Sequence, residues 1–65
     1  MKRYSSREVI KKLKAEGWYL DRIAGSHHHF KHPLKKGLVT IPHPRKTVHP
    51  RILKSIEKQS GVSFK

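Results

Sequence analysis

Residues 25–33 read GSHHHFKHP: a tight-turn pair, Gly25-Ser26, then four of the chain's six histidines with one aromatic residue set among them. As a β-strand the segment sends successive side chains to opposite faces. His28, Phe30 and His32 then share one face, and His27, His29 and Lys31 the other. Phe30 is the natural core residue, which turns His27 and His29 outward. A solvent-facing imidazole on a strongly basic protein is placed for proton transfer on a phosphate substrate.

Upstream, Trp18 to Ile23 is aromatic and β-branched and reads as a first strand, its alternation broken by Asp21 and Arg22. Ala24, Gly25 and Ser26 turn it into the histidine strand. Downstream of Pro33, Leu34-Lys35-Lys36-Gly37 supplies a second turn, and Leu38 to Ile41 a third strand stopped by Pro42 and Pro44. Three short strands joined by turns predict an antiparallel meander.

Helical patterns flank the strands. From Tyr4 to Gly17, Ser5 followed by Glu8 forms a capping box, and Tyr4 is spaced to staple onto Val9. Val9, Ile10 and Leu13 make an apolar stripe, while Arg7, Lys11, Lys12 and Lys14 fall mainly on other faces. Gly17 stands where a left-handed C-terminal residue is expected. His43 to Val48 is a basic, proline-punctuated loop. Pro50 then takes the first position of a second helix, with Ile52, Leu53 and Ile56 as its stripe and Gly61 as its stop. Val62 and Phe64 return as a short apolar tail. The order α-β-β-β-α predicts an α+β fold in which two helices cover one face of a three-stranded antiparallel sheet. With no repeat and no dividing linker, residues 1–65 are expected to form one domain.

A chain of 65 residues buries only a modest fraction of its surface, so any site should be an open groove rather than an enclosed pocket. There is no cysteine, which removes disulfides and thiolate zinc sites. Charged residues follow Met1, and no apolar run is long enough for a signal peptide or a membrane span, so a soluble, cytoplasmic protein is expected. Sixteen Lys and Arg against four Asp and Glu give a formal charge of +12. Such a charge creates a long-range positive potential that favours polyanionic partners, nucleic acid first and an acidic protein second.

The element order, the Gly17-Trp18 pair, the run Arg22 to His27 (RIAGSH), the run Phe30 to Pro33 (FKHP), the strand end Val39 to Pro42 and the closing ILKSIEKQSGVS together resemble the HicA toxins. The resemblance covers nearly the whole chain. It implies a fold like that of a double-stranded-RNA-binding domain, activity as an mRNA interferase, and silencing by a HicB antitoxin that covers the site. By this likeness His27, directly after Gly25-Ser26, takes the place of the family's catalytic histidine. The chain departs from many such relatives at His49-Pro50, where they carry a glycine near the start of the last helix. Pro50 suits a helix start but withholds one backbone donor from any anion bound there.

RNA cleavage without a metal needs a base for the ribose 2′-hydroxyl, an acid for the leaving 5′-oxygen and positive charge around the phosphorane. A histidine suits the first two roles. His27 is accordingly the candidate base or acid, and products ending in a 2′,3′-cyclic phosphate are expected. Strand alternation makes His29 the next candidate; His28 replaces it if a bulge after Ser26 shifts the register by one. No metal or other cofactor is expected, since no carboxylate or cysteine lies near the cluster in sequence. Lys31, Lys35, Lys36, Arg45 and Lys46, at strand ends and before the last helix, are the candidate RNA-binding residues, with shape and phosphate contacts outweighing base readout. The alternative reading is a non-catalytic double-stranded-RNA-binding module, which has the same charge and lacks only the chemistry.

Overall fold

The first helix starts where its cap dictates. In a computed structural model that describes residues 3–64, α1 spans Ser6–Ala15. The Ser5 hydroxyl accepts from the Glu8 backbone N–H, and the Glu8 carboxylate accepts from the Ser5 N–H in return. These bonds satisfy donors that the first turn of any helix leaves open. Both ends are as the caps predict: Tyr4 lies ahead of Ser5, and Gly17 follows the C-cap residue Glu16 with φ +96°.

Three strands follow: β1 (Tyr19–Ala24), β2 (His27–Lys31) and β3 (Val39–Pro42), then helix α2 (Pro50–Ser60). The sheet is an antiparallel meander in the order β1-β2-β3. Ala24 pairs with His27, so Gly25-Ser26 is a two-residue hairpin loop, with Gly25 at φ +62° supplying the positive dihedral. Trp18 precedes β1 rather than opening it, and β3 runs one residue later than its apolar pattern, ending on Pro42. A proline is tolerated there because β3 is an edge strand.

Both helices deliver their buried residues to one cluster. Val9 and Leu13 of α1, Leu53 and Ile56 of α2, and Phe30, Val39 and Ile41 of the sheet belong to a single core, together with Trp18, Val48 and the tail residues Val62 and Phe64. The sheet is thus covered on one face, as in a double-stranded-RNA-binding-domain-like α+β fold. Two stripe residues sit differently from expectation. Ile10 is half-buried at the margin of the core, and Ile52 is 37% exposed. The buried lines of the two helices are Ser6, Val9, Leu13 and Leu53, Ile56, Ser60. That spacing of three and four keeps to one side, whereas position 52 falls one residue, or about 100°, off it.

The loop between β3 and α2 is irregular yet tied down. The Ser6 N–H donates to the Arg45 carbonyl at 3.0 Å, the Arg45 N–H donates to the Ser6 hydroxyl at 2.9 Å, and the Val48 N–H donates to the Tyr4 carbonyl at 2.7 Å. His49 caps α2, its Nδ1 accepting from the Arg51 N–H, and Gly61 ends the helix at φ +75°. No helix among the described residues is long and apolar enough to cross a membrane.

Gly17 is needed for two reasons at once. Its φ of +96° strains any residue with a Cβ, and a Cβ built there would meet His32 Nε2 at 2.8 Å. That ring cannot swing aside freely: its Nε2–H donates to the Glu16 carbonyl, its Nδ1 accepts from the Leu34 N–H, and it packs edge-on with the Trp18 ring, centroids 5.2 Å apart. Gly17→Ala is therefore expected to cost about 1–3 kcal/mol, read as a lowered denaturation midpoint. A midpoint equal to that of the unmodified chain would show that the turn relaxes without cost.

Candidate active site

Cross-strand partners share a face, so the register divides the β2 histidines. Phe30 stands between Leu20 and Val39, and His28 between Ile23 and Ile41; with Phe30, Val39 and Ile41 all buried, this is the helix-covered face. His29 stands between Arg22 and Thr40, and His27 between Ala24 and Pro42, on the uncovered face. No slip in register follows Ser26, so His27 and His29 lie together and His28 lies apart from them. The two rings on the open face have centroids 6.5 Å apart. The His27 side chain is exposed and makes no hydrogen bond to the described residues, while His29 is half-buried with its Nδ1 2.8 Å from the Thr40 hydroxyl.

The other four histidines are occupied structurally. The His28 ring packs edge-on against His43 at 4.9 Å, and its Nδ1 is buried without a hydrogen-bond partner. The His43 Nδ1 lies 2.6 Å from the Ser6 hydroxyl, joining the end of the sheet to the start of α1. His32 is held in the Nε2–H tautomer described above, and His49 is the cap of α2. A neutral ring with both nitrogens engaged has no site left for proton exchange, which sets His32 apart from the outward pair.

A bulge in β1 brings a cation to the open face. Leu20 pairs with Phe30 but Arg22 pairs with His29, leaving Asp21 as the extra residue. Strict alternation from Tyr19 would have placed Arg22 on the helix side; the inserted residue reverses the parity and sets Arg22 opposite His29. Asp21 reaches Lys31 Nζ at 3.8 Å, an exposed ion pair of small energetic weight that nonetheless keeps the Lys31 chain over this face. Sequence pattern alone missed Arg22 as a site residue. Its only signal was the broken alternation at Asp21-Arg22.

The five candidate RNA-binding residues fall in three places. Lys31 is on the histidine face. Lys35 donates from Nζ to the Ser60 carbonyl at 3.0 Å and so closes the C-terminus of α2, with Lys36 exposed beside it in the same turn. Arg45 and Lys46 lie past the other end of the sheet, close in the chain to Pro42, the cross-strand partner of His27. Arg45 lines two open clefts: one of about 770 Å³ with Arg3, Thr47 and His49, and one of about 510 Å³ with Arg7, His43 and Lys46. Among the described residues, no group of three His, Asp, Glu or Cys converges as a metal site.

Fold and site together define a small basic α-β-β-β-α protein that presents paired imidazoles and cations on the bare face of its sheet. The chain belongs to the HicA toxin family of bacterial toxin–antitoxin systems, whose family model it matches over residues 6–62. A search of curated proteins gave no match. Membership makes the chain a toxin of such a system and implies an antitoxin as its partner.

Proposed function

We propose that this toxin is a cytoplasmic endoribonuclease, an mRNA interferase, that cleaves RNA by histidine-dependent, metal-independent acid–base chemistry on the open face of the sheet, and that a HicB-like antitoxin silences it by covering that face. The observation that carries this reading is His27 itself: an exposed imidazole without a hydrogen bond to any of the described residues, on a face that also bears Arg22, His29 and Lys31. A free ring can take a proton from a ribose 2′-hydroxyl or return one to a leaving oxygen. The flanking cations favour the negative charge that builds on the phosphoryl oxygens.

Substrate is held from both ends of this face. Arg22 and Lys31 act beside the imidazoles, and Arg45 and Lys46 hold the strand beyond Pro42, whose clefts are open enough for a phosphodiester backbone. Lys36 contributes from the opposite turn, and Lys35 contributes charge while bonded to α2. An RNA phosphate competes with Asp21 for Lys31, an exchange that a weak exposed pair permits.

Because binding rests on phosphate contacts, RNA affinity is expected to fall about 50- to 150-fold between about 50 and 200 mM salt for about four neutralised phosphates. Fluorescence anisotropy with a labelled RNA measures this; a flat response would remove the basic surface as the contact area. Cleavage itself is tested by incubating RNA with the purified chain and with His27→Ala. A non-catalytic binding module would give the salt dependence without the cleavage.

A further inference from the structure

His29 differs from His27 in one respect: a neighbouring strand holds it. Its Nδ1 lies 2.8 Å from the Thr40 hydroxyl, and Thr40 is its direct partner in the β2–β3 register. We infer that His29 is the second acid–base group of the cleavage reaction and that Thr40 is its positioning residue, fixing the ring so that Nε2 is the atom that exchanges protons with RNA. This inference rests on the nuclease reading above.

The chemistry requires two groups in opposite protonation states. The unprotonated nitrogen of one imidazole takes the 2′-hydroxyl proton as the 2′-oxygen bonds to phosphorus. The bond from phosphorus to the 5′-oxygen breaks, and that oxygen leaves with the proton of the other, charged imidazole. The products are a 2′,3′-cyclic phosphate and a 5′-hydroxyl, and the two rings have exchanged protonation states. Attacking and leaving oxygens stand roughly in line across the phosphorus. Two rings side by side on one strand, 6.5 Å between centroids, can address both oxygens of one phosphate from the same face.

A hydroxyl is suited to hold such a ring. When His29 is charged both nitrogens carry protons, and Nδ1–H donates to the Thr40 oxygen. When Nε2 has given its proton away, Nδ1–H still donates to the same oxygen. The hold therefore persists through the cycle with no reorientation of the ring, and in the neutral state it leaves the lone pair on Nε2. The charged and titratable groups on this face are Tyr19, Asp21 and Arg22 of β1 and His27 and Lys31 of β2; from β3 the face receives Thr40 and Pro42, neither of which titrates. Thr40 is thus the non-ionic contact to His29 that a substitution can remove without changing charge.

The test compares the unmodified chain with Thr40→Val and Thr40→Ser in single-turnover RNA cleavage across pH, alongside nitrogen NMR of the His29 side chain. Valine keeps the β-branched shape and lacks the hydroxyl. The expected result is a bell-shaped profile for the unmodified chain and a rate lower by about ten- to a hundredfold in Thr40→Val, with RNA affinity unchanged. Thr40→Ser is expected to recover most of that loss. The neutral His29 ring is expected to carry its proton on Nδ1 in the unmodified chain and to lose that preference in Thr40→Val. An active unmodified chain with an equally active Thr40→Val, or a neutral His29 protonated on Nε2, would overturn this inference and leave the nuclease reading intact. An inactive unmodified chain would overturn both.

Discussion

His27→Ala is expected to lower RNA cleavage by at least about a hundredfold, within the range that positioned acid–base groups contribute. The loss should be chemical rather than structural. The His27 side chain is exposed and makes no hydrogen bond to the described residues, so its removal should change stability by no more than about 0.5 kcal/mol, as for other surface positions. His28→Ala supplies the contrast: its ring faces the helix side against His43, so its removal should lower stability and leave the proton-transfer groups in place. Cleavage rates and denaturation midpoints for the two variants separate these effects. Cleavage retained by His27→Ala would remove the assignment.

Phe30→Ala is expected to be the most damaging single change to the fold, at about 3–5 kcal/mol. The side chain is almost fully buried on the central strand, with Leu20 on one side and Val39 on the other. A chain of this length has a total stability of roughly 3–10 kcal/mol, so the loss removes at least about a third of it. Phe30 lies between His29 and Lys31, and its anchorage fixes which face those two residues present. The matching change on the same face, Leu20→Ala, should cost far less because Leu20 is 40% exposed on the edge strand. Urea denaturation of both variants checks the ranking, and equal costs would contradict it.

Local rules made much of this architecture readable. The Ser5–Glu8 box, Pro50 at the start of α2 and Gly61 at its end act within one helical turn, so the residues that set each boundary are adjacent in sequence. The same holds for Gly25-Ser26, whose two residues make the hairpin, and for β2, where the burial of Phe30 sets the parity of His27 and His29. What escaped was non-local or irregular. The bulge at Asp21 carries no glycine to announce it, and it alone brings Arg22 to the histidine face. Ser6 and His43 meet across 37 positions, and Lys35 reaches Ser60 across 25, contacts that no local pattern encodes. Thr40 reads as an ordinary β-former until the register sets it opposite His29. Strand β1, aromatic and β-branched on paper, is exposed along its whole length because the helices pack on β3 at the far edge of the sheet.

The histidines show how one residue type divides by context. His32, His43 and His49 each accept or exchange a hydrogen bond within the fold, and His28 packs against a neighbouring ring. The two that the pleat turns outward lie together on the open face of the sheet, beside Arg22 and Lys31. The count of imidazoles therefore says little about chemistry, whereas their parity along β2 says a great deal.

The most direct measurement is the chemical nature of the RNA ends released by the purified chain in the presence of EDTA. Proton transfer by imidazoles predicts a 2′,3′-cyclic phosphate on one fragment and a 5′-hydroxyl on the other, formed with the chelator present and absent with His27→Ala. Fragments ending in a 3′-hydroxyl and a 5′-phosphate, or cleavage abolished by the chelator, would contradict the account.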